Sequence, residues 1–203
     1  MIDAALLPLQ HRLMARPAEW CVARGLTADR ITLAGFAIGL LACGAAAMGW
    51  TWLALAGLVA NRLADGLDGA VARLTQPTDR GAFLDIALDF VFYAAFPLGF
   101  AVADPAQNAL PAAILIASFI GSGTSFLTFS LIADRRGMSA ADYPTKGIYY
   151  LSGLTEGAET IAVFLAFCLF PAAFPLLAYG FAAACTVTTA TRILAGWRMF
   201  GPQ

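Results

Sequence analysis

Residues 31–49 read ITLAGFAIGLLACGAAAMG, a stretch without a charged residue and close to the ~20 residues that cross a bilayer as a helix. Backbone polar groups in lipid must be satisfied within their own segment, and such runs are too long and continuous for barrel strands. Each run therefore predicts a transmembrane helix, and the predicted fold is an all-α integral membrane protein with six transmembrane helices. The other five runs cover residues 50–74, 81–103, 109–133, 152–171 and 174–195.

The composition agrees with a chain that lies mostly in the lipid bilayer. Of its 203 residues, 60% are hydrophobic and 12% are charged, which is more apolar than is usual for a soluble domain. The net charge of -1 and the lack of a basic stripe outside the loops argue against nucleic-acid binding. The four cysteines form no CxxC pair, so we interpret them as packing residues.

The N-terminal segment differs from the spans that follow it. Residues 6–24 mix leucines and a tryptophan with arginines, which is typical of an amphipathic helix in the membrane interface. Pro8 and Pro17 are expected to break this helix into pieces. The segment lacks the pattern of a removable signal peptide, so we expect the first span to direct insertion.

Domain organisation and topology follow from the connections between the spans. No repeat or polar linker is visible, so residues 1–203 are predicted to form one domain, with an interfacial segment at 1–26 and a six-helix bundle at 27–198. Basic residues occur on alternate connections only. The positive-inside rule then places both termini, and the site described next, on the cytoplasmic side. A bacterial inner membrane is the expected location.

Two acidic pairs face each other across the connection between spans two and three. Span two ends in DGLDGAVAR (residues 65–73), and span three begins with GAFLDIALD (residues 81–89). The acids are three apart in the first segment and four apart in the second, so each pair lies on one helical face. The short connection predicts an antiparallel hairpin that brings both faces together.

These four carboxylates predict a metal site. A charged side chain at membrane depth costs about 2.5–3.5 kcal/mol on insertion scales, and four close together also repel one another. Hard oxygen ligands select Mg²⁺, Mn²⁺ or Ca²⁺ over zinc, and four carboxylates can share two such ions. We therefore predict two divalent cations, Mg²⁺ or Mn²⁺, held by Asp65, Asp68, Asp85 and Asp89.

The small residues beside these acids indicate what the site binds. Gly69 and Ala72 leave the helix surface bare, so a flat nucleotide can approach the backbone. The guanidinium of Arg73 matches phosphate geometry and is placed to contact a pyrophosphate. The alternative for Arg73 is an arginine that only extends to the membrane surface.

The combined pattern resembles that of the class I CDP-alcohol phosphotransferase family, whose signature is D-x-x-D-G-x-x-A-R, seven or eight residues, then G-x-x-x-D-x-x-x-D. Every fixed position of this signature is present between Asp65 and Asp89. Six spans and a preceding interfacial helix are also similar to the family's minimal membrane domain. The resemblance therefore extends over nearly the whole chain.

The resemblance implies roles for individual residues. Asp89 would act as the catalytic base, while Asp65, Asp68 and Asp85 serve mainly as metal ligands. Homodimerisation is also implied. The nucleotide and pyrophosphate would lie along Gly66, Gly69, Ala72, Arg73 and Gly81.

Candidates for an acceptor pocket lie outside the motif. Glu156 and Glu159 are three residues apart early in span five and share a helix face, although they could simply be solvated at the membrane boundary. Arg62 could contact substrate or offset the charge of Asp65. The downstream basic residues could hold an acceptor phosphate or an anionic lipid head group, or could reflect the membrane topology alone. They are Arg135, Arg136, Lys146 and Arg192. The predicted pocket comprises Arg62, Lys146, Glu156, Glu159 and Arg192.

The leading hypothesis is a phosphatidyltransferase that moves a phosphatidyl group from CDP-diacylglycerol to a small polar alcohol and releases CMP. The two glutamates favour a neutral polyol or an amino alcohol, while glycerol phosphate, inositol or its phosphate, serine and choline remain open. One alternative is a CDP-amino-alcohol phosphotransferase acting on diacylglycerol, although such relatives tend to have more spans. Another is a cation- or proton-coupled transporter, disfavoured because the acids cluster at one membrane face without paired broken helices.

Overall fold

The computed structural model describes residues 2–138 and 155–201, with side chains from residue 12 onward. Within these ranges the chain is helical and contains no strand, which confirms the predicted all-α class. The helices are α1 (Ile2–Ala23), α2 (Ala28–Ala47), α3 (Thr51–Leu74), α4 (Asp79–Ala103), α5 (Pro105–Arg135), α6 (Gly157–Leu169) and α7 (Phe174–Met199), with a 3₁₀ turn at Pro171–Ala173 before α7.

Four segments of the described chain are long and apolar enough to cross a membrane, namely α2, α4, α5 and the 3₁₀ turn with α7. Helix α3 has 24 residues but carries Arg62, Asp65 and Asp68, so its composition alone does not mark it as a span. Helix α6 has 13 residues, which is short for a span. The six-span arrangement therefore stays a prediction.

Helix α1 is continuous, so the expectation that Pro8 and Pro17 break it is wrong. A proline in a helix removes one backbone hydrogen bond, but packing on a neighbouring helix can offset this cost. Ala18 and Cys21 are buried in one apolar cluster with Val71 of α3. This packing holds α1 beside the C-terminal half of α3, where the predicted site lies.

Helix α2 packs closely against both helices that carry the acids, because its glycines leave no side chain between them. A Cβ atom on Gly35 would lie 2.7 Å from the Ala64 Cβ, and one on Gly39 would lie 3.0 Å from both Asn61 Nδ2 and the Phe92 ring. Helices α3 and α4 themselves have few close approaches. The predicted hairpin is thus open, with α2 packed along both of its arms.

An aromatic core closes the bundle beyond the acidic segment of α4. Phe92 and Phe96 pack against Phe164 of α6, with Phe96 and Phe164 stacked at 4.8 Å between centroids. Phe164 is completely buried. The four cysteines are buried and unpaired by disulfides, which agrees with their predicted role in packing.

The C-terminal ends of α5 and α7 lie side by side. Arg136 donates from Nη2 to the Phe200 carbonyl at 3.0 Å and from Nη1 to the Met199 carbonyl at 3.4 Å. Helix α6 begins beside the middle of α7, where the Thr155 hydroxyl donates to the Thr188 hydroxyl at 3.0 Å.

Candidate active site

All four predicted carboxylates line one small recess. Asp65 and Asp68 enter it from α3, and Asp85 and Asp89 enter it from α4. Asp68 is buried, Asp65 and Asp89 are partly buried, and Asp85 is exposed. We call this space the carboxylate recess; it occupies the open angle of the α3–α4 hairpin, with α2 as its floor.

Arg62 also lines the carboxylate recess, rather than the separate cavity described below. Its Nη2 lies 2.8 Å from Asp89 Oδ1, and its Nη1 lies 3.3 Å from Asp89 Oδ2. The same Nη1 is 3.6 Å from Asp65 Oδ2, one helical turn along α3. Arg62 was expected either to contact substrate or to offset the charge of Asp65. In the structure it offsets the charge of two aspartates, and Asp89 is the nearer of them.

Asn61 orients Arg62 and was not predicted as a site residue. Its Nδ2 donates to the Gly35 carbonyl at 2.9 Å, and its Oδ1 accepts from Arg62 Nε at 2.8 Å. Asn61 is buried, and Gly39 leaves room for its amide, since a Cβ atom there would lie 3.0 Å from Asn61 Nδ2. The sequence does carry one signal that could have indicated Asn61: an amide side chain that stands next to an arginine within an apolar run.

Two hydroxyl groups contact the acids and were also missed. Thr32 Oγ1 donates to Asp68 Oδ2 at 2.5 Å, and Tyr93 Oη donates to Asp89 Oδ2 at 3.1 Å. Tyr93 stands four residues after Asp89, so its helical spacing could have indicated the contact. Thr32 comes from a different helix, and no local pattern points to it.

The donor set of the recess fits a hard divalent cation by its chemistry. Four carboxylates face one guanidinium, which leaves an excess of negative charge that Mg²⁺ or Mn²⁺ would offset. Within residues 2–138 and 155–201 the side chains do not form a cluster of three ligands already arranged around one ion. The fit therefore rests on the oxygen donors and on the charge of the recess.

An open cleft of about 570 Å³ adjoins the recess, between the ends of α2, α3 and α4. Thr32, Asp68 and Asp85 line both spaces, so the two are continuous. Four of the five predicted nucleotide-binding residues line this cleft, namely Gly69, Ala72, Arg73 and Gly81. We call it the nucleotide cleft.

The bare helix surface expected at the motif is present. A Cβ atom on Gly69 would meet only the Arg73 Nη1, at 3.4 Å. The fifth predicted residue, Gly66, is buried in α3 and is absent from the residues that line the recess and the cleft. Gly66 therefore packs within the bundle instead of facing the cleft.

An ion pair joins α2 and α4 at the mouth of the nucleotide cleft. Arg80 Nε donates to Asp29 Oδ2 at 2.8 Å, and the Nη2 lies 2.5 Å from the same oxygen. Thr78 caps α4 by accepting from the Gly81 amide at 3.1 Å. These contacts hold the start of α4, and hence Gly81, against α2.

A second cavity, of about 400 Å³, is lined from α4 by Phe90 and Tyr93 instead of by the acids. Tyr93, Ser122, Glu156 and Arg192 line it together with several aromatic rings. Arg192 is buried and donates from Nη1 to the Ser122 carbonyl at 3.2 Å and to its hydroxyl at 3.3 Å. We call this space the Arg192 cavity.

The predicted acceptor residues separate in the structure. Glu156 and Arg192 line the Arg192 cavity, whereas Glu159 accepts from the Glu156 amide at 3.1 Å and so caps α6. The two glutamates instead form a capping box, because α6 begins at Gly157 and Glu156 is its N-cap residue: each side chain accepts from the backbone amide of the other glutamate. Lys146 lies outside the described residues.

Comparisons with known proteins agree with the motif. The sequence profile of the CDP-alcohol phosphatidyltransferase family matches residues 20–194. The inner membrane protein YnjF of Escherichia coli is 48% identical over 197 residues, which cover 97% of this chain and 96% of YnjF. Archaetidylinositol phosphate synthase of Methanothermobacter thermautotrophicus is 33% identical over 146 residues, covering 70% of this chain and 65% of that enzyme. This chain belongs to the CDP-alcohol phosphatidyltransferase family and is a transferase of phosphate-containing groups.

Proposed function

We propose that this protein transfers a phosphatidyl group from CDP-diacylglycerol to a small polar alcohol and releases CMP. Family membership supports transfer from a CDP-linked donor to an alcohol and disfavours the transporter hypothesis. The observation that carries the proposal is the continuity of the carboxylate recess with the nucleotide cleft through Asp68 and Asp85. A nucleotide bound in the cleft would have its phosphates beside the acids.

The donor is proposed to lie with its cytidine in the nucleotide cleft and its acyl chains in lipid. Gly69 and Ala72 provide a surface with little side-chain bulk, and Gly81 borders the same cleft. Arg73, which lines the cleft and is exposed, is available to pair with a pyrophosphate oxygen. Gly66 supports this surface through packing within the bundle.

Asp65, Asp68, Asp85 and Asp89 are proposed to hold two divalent cations, Mg²⁺ or Mn²⁺, in line with the use of divalent cations by the family. When bound, such ions offset the charge of the pyrophosphate and of the carboxylates. Asp89 is the proposed base: it takes the proton of the acceptor hydroxyl as the new bond from oxygen to phosphorus forms. The bond between this phosphorus and the CMP oxygen breaks, so no covalent enzyme intermediate is needed.

The Arg192 cavity is the proposed acceptor site. It presents Glu156 and Arg192 among aromatic walls, a combination that suits the hydroxyls of a polyol or the groups of an amino alcohol. The name of the archaeal relative makes a phosphorylated inositol a further acceptor to test. Lys146 remains a proposed member of the pocket, and Arg62 is assigned to charge compensation in the recess.

Six transmembrane helices, a cytoplasmic active site and cytoplasmic termini are proposed for the topology. The contact of Arg136 with the end of α7 supports a passage of α6 across the membrane between α5 and α7. Exposed arginines such as Arg73 and Arg80 lie at the end that carries the site, which fits the positive-inside rule. The apolar helices and the inner-membrane relative support a location in the inner membrane. A homodimer is also proposed and can be tested by crosslinking in native membranes.

The test is CMP release by purified protein in detergent with Mg²⁺ or Mn²⁺. CDP-diacylglycerol is supplied with a panel of polyols, phosphorylated polyols and amino alcohols, and a parallel arm supplies CDP-amino alcohols with diacylglycerol. We expect acceptor-dependent and metal-dependent CMP release in the first arm. Release confined to the second arm would establish the reversed chemistry, and no release in either arm would contradict the proposal.

A further inference from the structure

The Asp89 carboxylate receives hydrogen bonds on both of its oxygens. Oδ1 accepts from Arg62 Nη2 at 2.8 Å, and Oδ2 accepts from Tyr93 Oη at 3.1 Å and from Arg62 Nη1 at 3.3 Å. The guanidinium fork and the phenol therefore restrict both the position and the rotation of the carboxylate. Asp65, which carries the same group, has only the longer 3.6 Å approach of Arg62 among these contacts.

The contacts continue back to the backbone of α2. Arg62 Nε donates to Asn61 Oδ1, and Asn61 Nδ2 donates to the Gly35 carbonyl. Every step of this chain uses a directional donor, and Asn61 is buried where water does not compete. This chain of hydrogen bonds positions the Asp89 carboxylate of α4 relative to the backbone of α2, through two residues of α3. It does so although α3 and α4 have few direct contacts.

At its other end the network reaches the Arg192 cavity. Tyr93 lines that cavity, while the Asp89 that it contacts lines the carboxylate recess. The ring of Tyr93 also packs edge-on against Phe164 at 6.1 Å between centroids, which fixes the direction of its hydroxyl. Tyr93 therefore forms the boundary between the proposed acceptor site and the proposed base.

We propose that Tyr93, supported by Arg62, is a positioning residue that holds Asp89 where the Arg192 cavity meets the carboxylate recess and so sets the path by which the acceptor hydroxyl reaches the donor phosphorus. This inference rests on the proposed function. It adds a direction of approach: the donor occupies the nucleotide cleft, which Asp68 and Asp85 line, and the acceptor comes from the Arg192 cavity past Tyr93. The arrangement suits transfer between two substrates that enter separately.

Tyr93→Phe tests this role because it removes only the hydroxyl and keeps the ring that packs on Phe164. A hydrogen bond to a charged group contributes enough that kcat should fall roughly 10-fold or more. The KM for CDP-diacylglycerol should stay within about twofold because the cleft is untouched. The affinity for Mn²⁺, followed by electron paramagnetic resonance, should fall by less than kcat, because Asp65, Asp68 and Asp85 keep their contacts. Tyr179→Phe, on the partly exposed face of α7, is the matched control and should leave kcat unchanged.

A second variant guards against a simple folding defect. Arg62→Lys keeps the positive charge but loses the fork, so its kcat should also fall while its Mn²⁺ affinity changes little. A kcat equal to that of the wild type in Tyr93→Phe would overturn the inference. So would a rise in the KM for CDP-diacylglycerol and a loss of Mn²⁺ affinity, in both variants, as large as the fall in kcat. The wild-type protein tests the proposed function separately. If the wild type releases no CMP, the proposed function is refuted; if the wild type is active and Tyr93→Phe is equally active, only the positioning role is refuted.

Discussion

The guanidinium of Arg62 lies opposite the carboxylate of Asp89 across the gap between α3 and α4, with 2.8 Å between Nη2 and Oδ1. The two residues are 27 positions apart in the sequence, and both side chains are partly shielded from solvent. Because α3 and α4 have few direct contacts, this ion pair is a principal link between the two acidic segments. It also brings a permanent positive charge into a recess whose other charged lining residues are all acids.

Removing this charge should destabilise the protein and make it more dependent on divalent cations. In Arg62→Gln the four carboxylates lose their internal counter-charge, and we expect a loss of about 1–3 kcal/mol in unfolding free energy, less than for a fully buried pair. Thermal unfolding in detergent, with and without Mn²⁺, measures the effect. Mn²⁺ should raise the melting temperature of Arg62→Gln more than that of the wild type. Arg16→Gln, on the exposed side of α1, is the control, and an equal Mn²⁺ shift in all three proteins would contradict the charge argument.

Asp68→Asn should abolish turnover while the protein remains inserted and folded. The amide keeps the shape of the side chain and can still accept from Thr32, but it lacks the negative charge needed to bind a cation and orient the donor phosphates. CMP release should fall by at least about 100-fold, a loss of about 2.7 kcal/mol or more in transition-state stabilisation. Asp134→Asn, an exposed acid at the end of α5, should behave as wild type. Near-normal activity in Asp68→Asn would exclude Asp68 as a ligand.

Gly35→Ala should separate α2 from α3 and disturb the site. The new Cβ atom would lie 2.7 Å from the Ala64 Cβ, so the helices must move apart, at a cost of about 1–3 kcal/mol. The hydrogen bond from Asn61 to the Gly35 carbonyl would lengthen, so activity should fall along with the melting temperature. Gly44→Ala is a matched control on the same helix, because its Cβ atom would meet nothing within 4 Å. Equal stability and activity in the two variants would show that the close approach is unimportant.

Arg192→Gln should weaken acceptor binding selectively. The guanidinium lines the Arg192 cavity and is buried, so its loss should raise the KM for the acceptor by about 10-fold, as for one hydrogen bond to a charged group. The KM for CDP-diacylglycerol should stay within about twofold, since Arg192 is not among the residues that line the nucleotide cleft. Steady-state CMP release at varied acceptor and donor concentrations separates the two constants. Arg198→Gln, which is exposed at the end of α7, serves as the comparison; a matching rise in donor KM for Arg192→Gln would refute an acceptor site in this cavity.

Several sequence-based expectations were corrected by packing. Pro8 and Pro17 do not interrupt α1, which is held along α3 by buried residues such as Ala18. Glu159 caps α6 instead of lining a pocket, because the helix begins one residue after Glu156. Gly66 faces the bundle, although its neighbours in the motif face the cleft. In each case the outcome depended on where a helix starts or which side is covered, and residue type does not specify either.

By itself the sequence determined the helical class and the composition of the acidic site, because both depend on patterns within a single segment. A run of apolar residues is sufficient to favour a helix in lipid, and acids spaced three or four apart share a face of that helix, as Asp65 and Asp68 do. Only the tertiary structure decided that α2 lies against both acidic helices, that Arg62 pairs most closely with Asp89, and that Thr32, Asn61 and Tyr93 complete the network. Such contacts arise from the faces that meet when helices pack, and the spacing of residues within one helix carries no information about its neighbour.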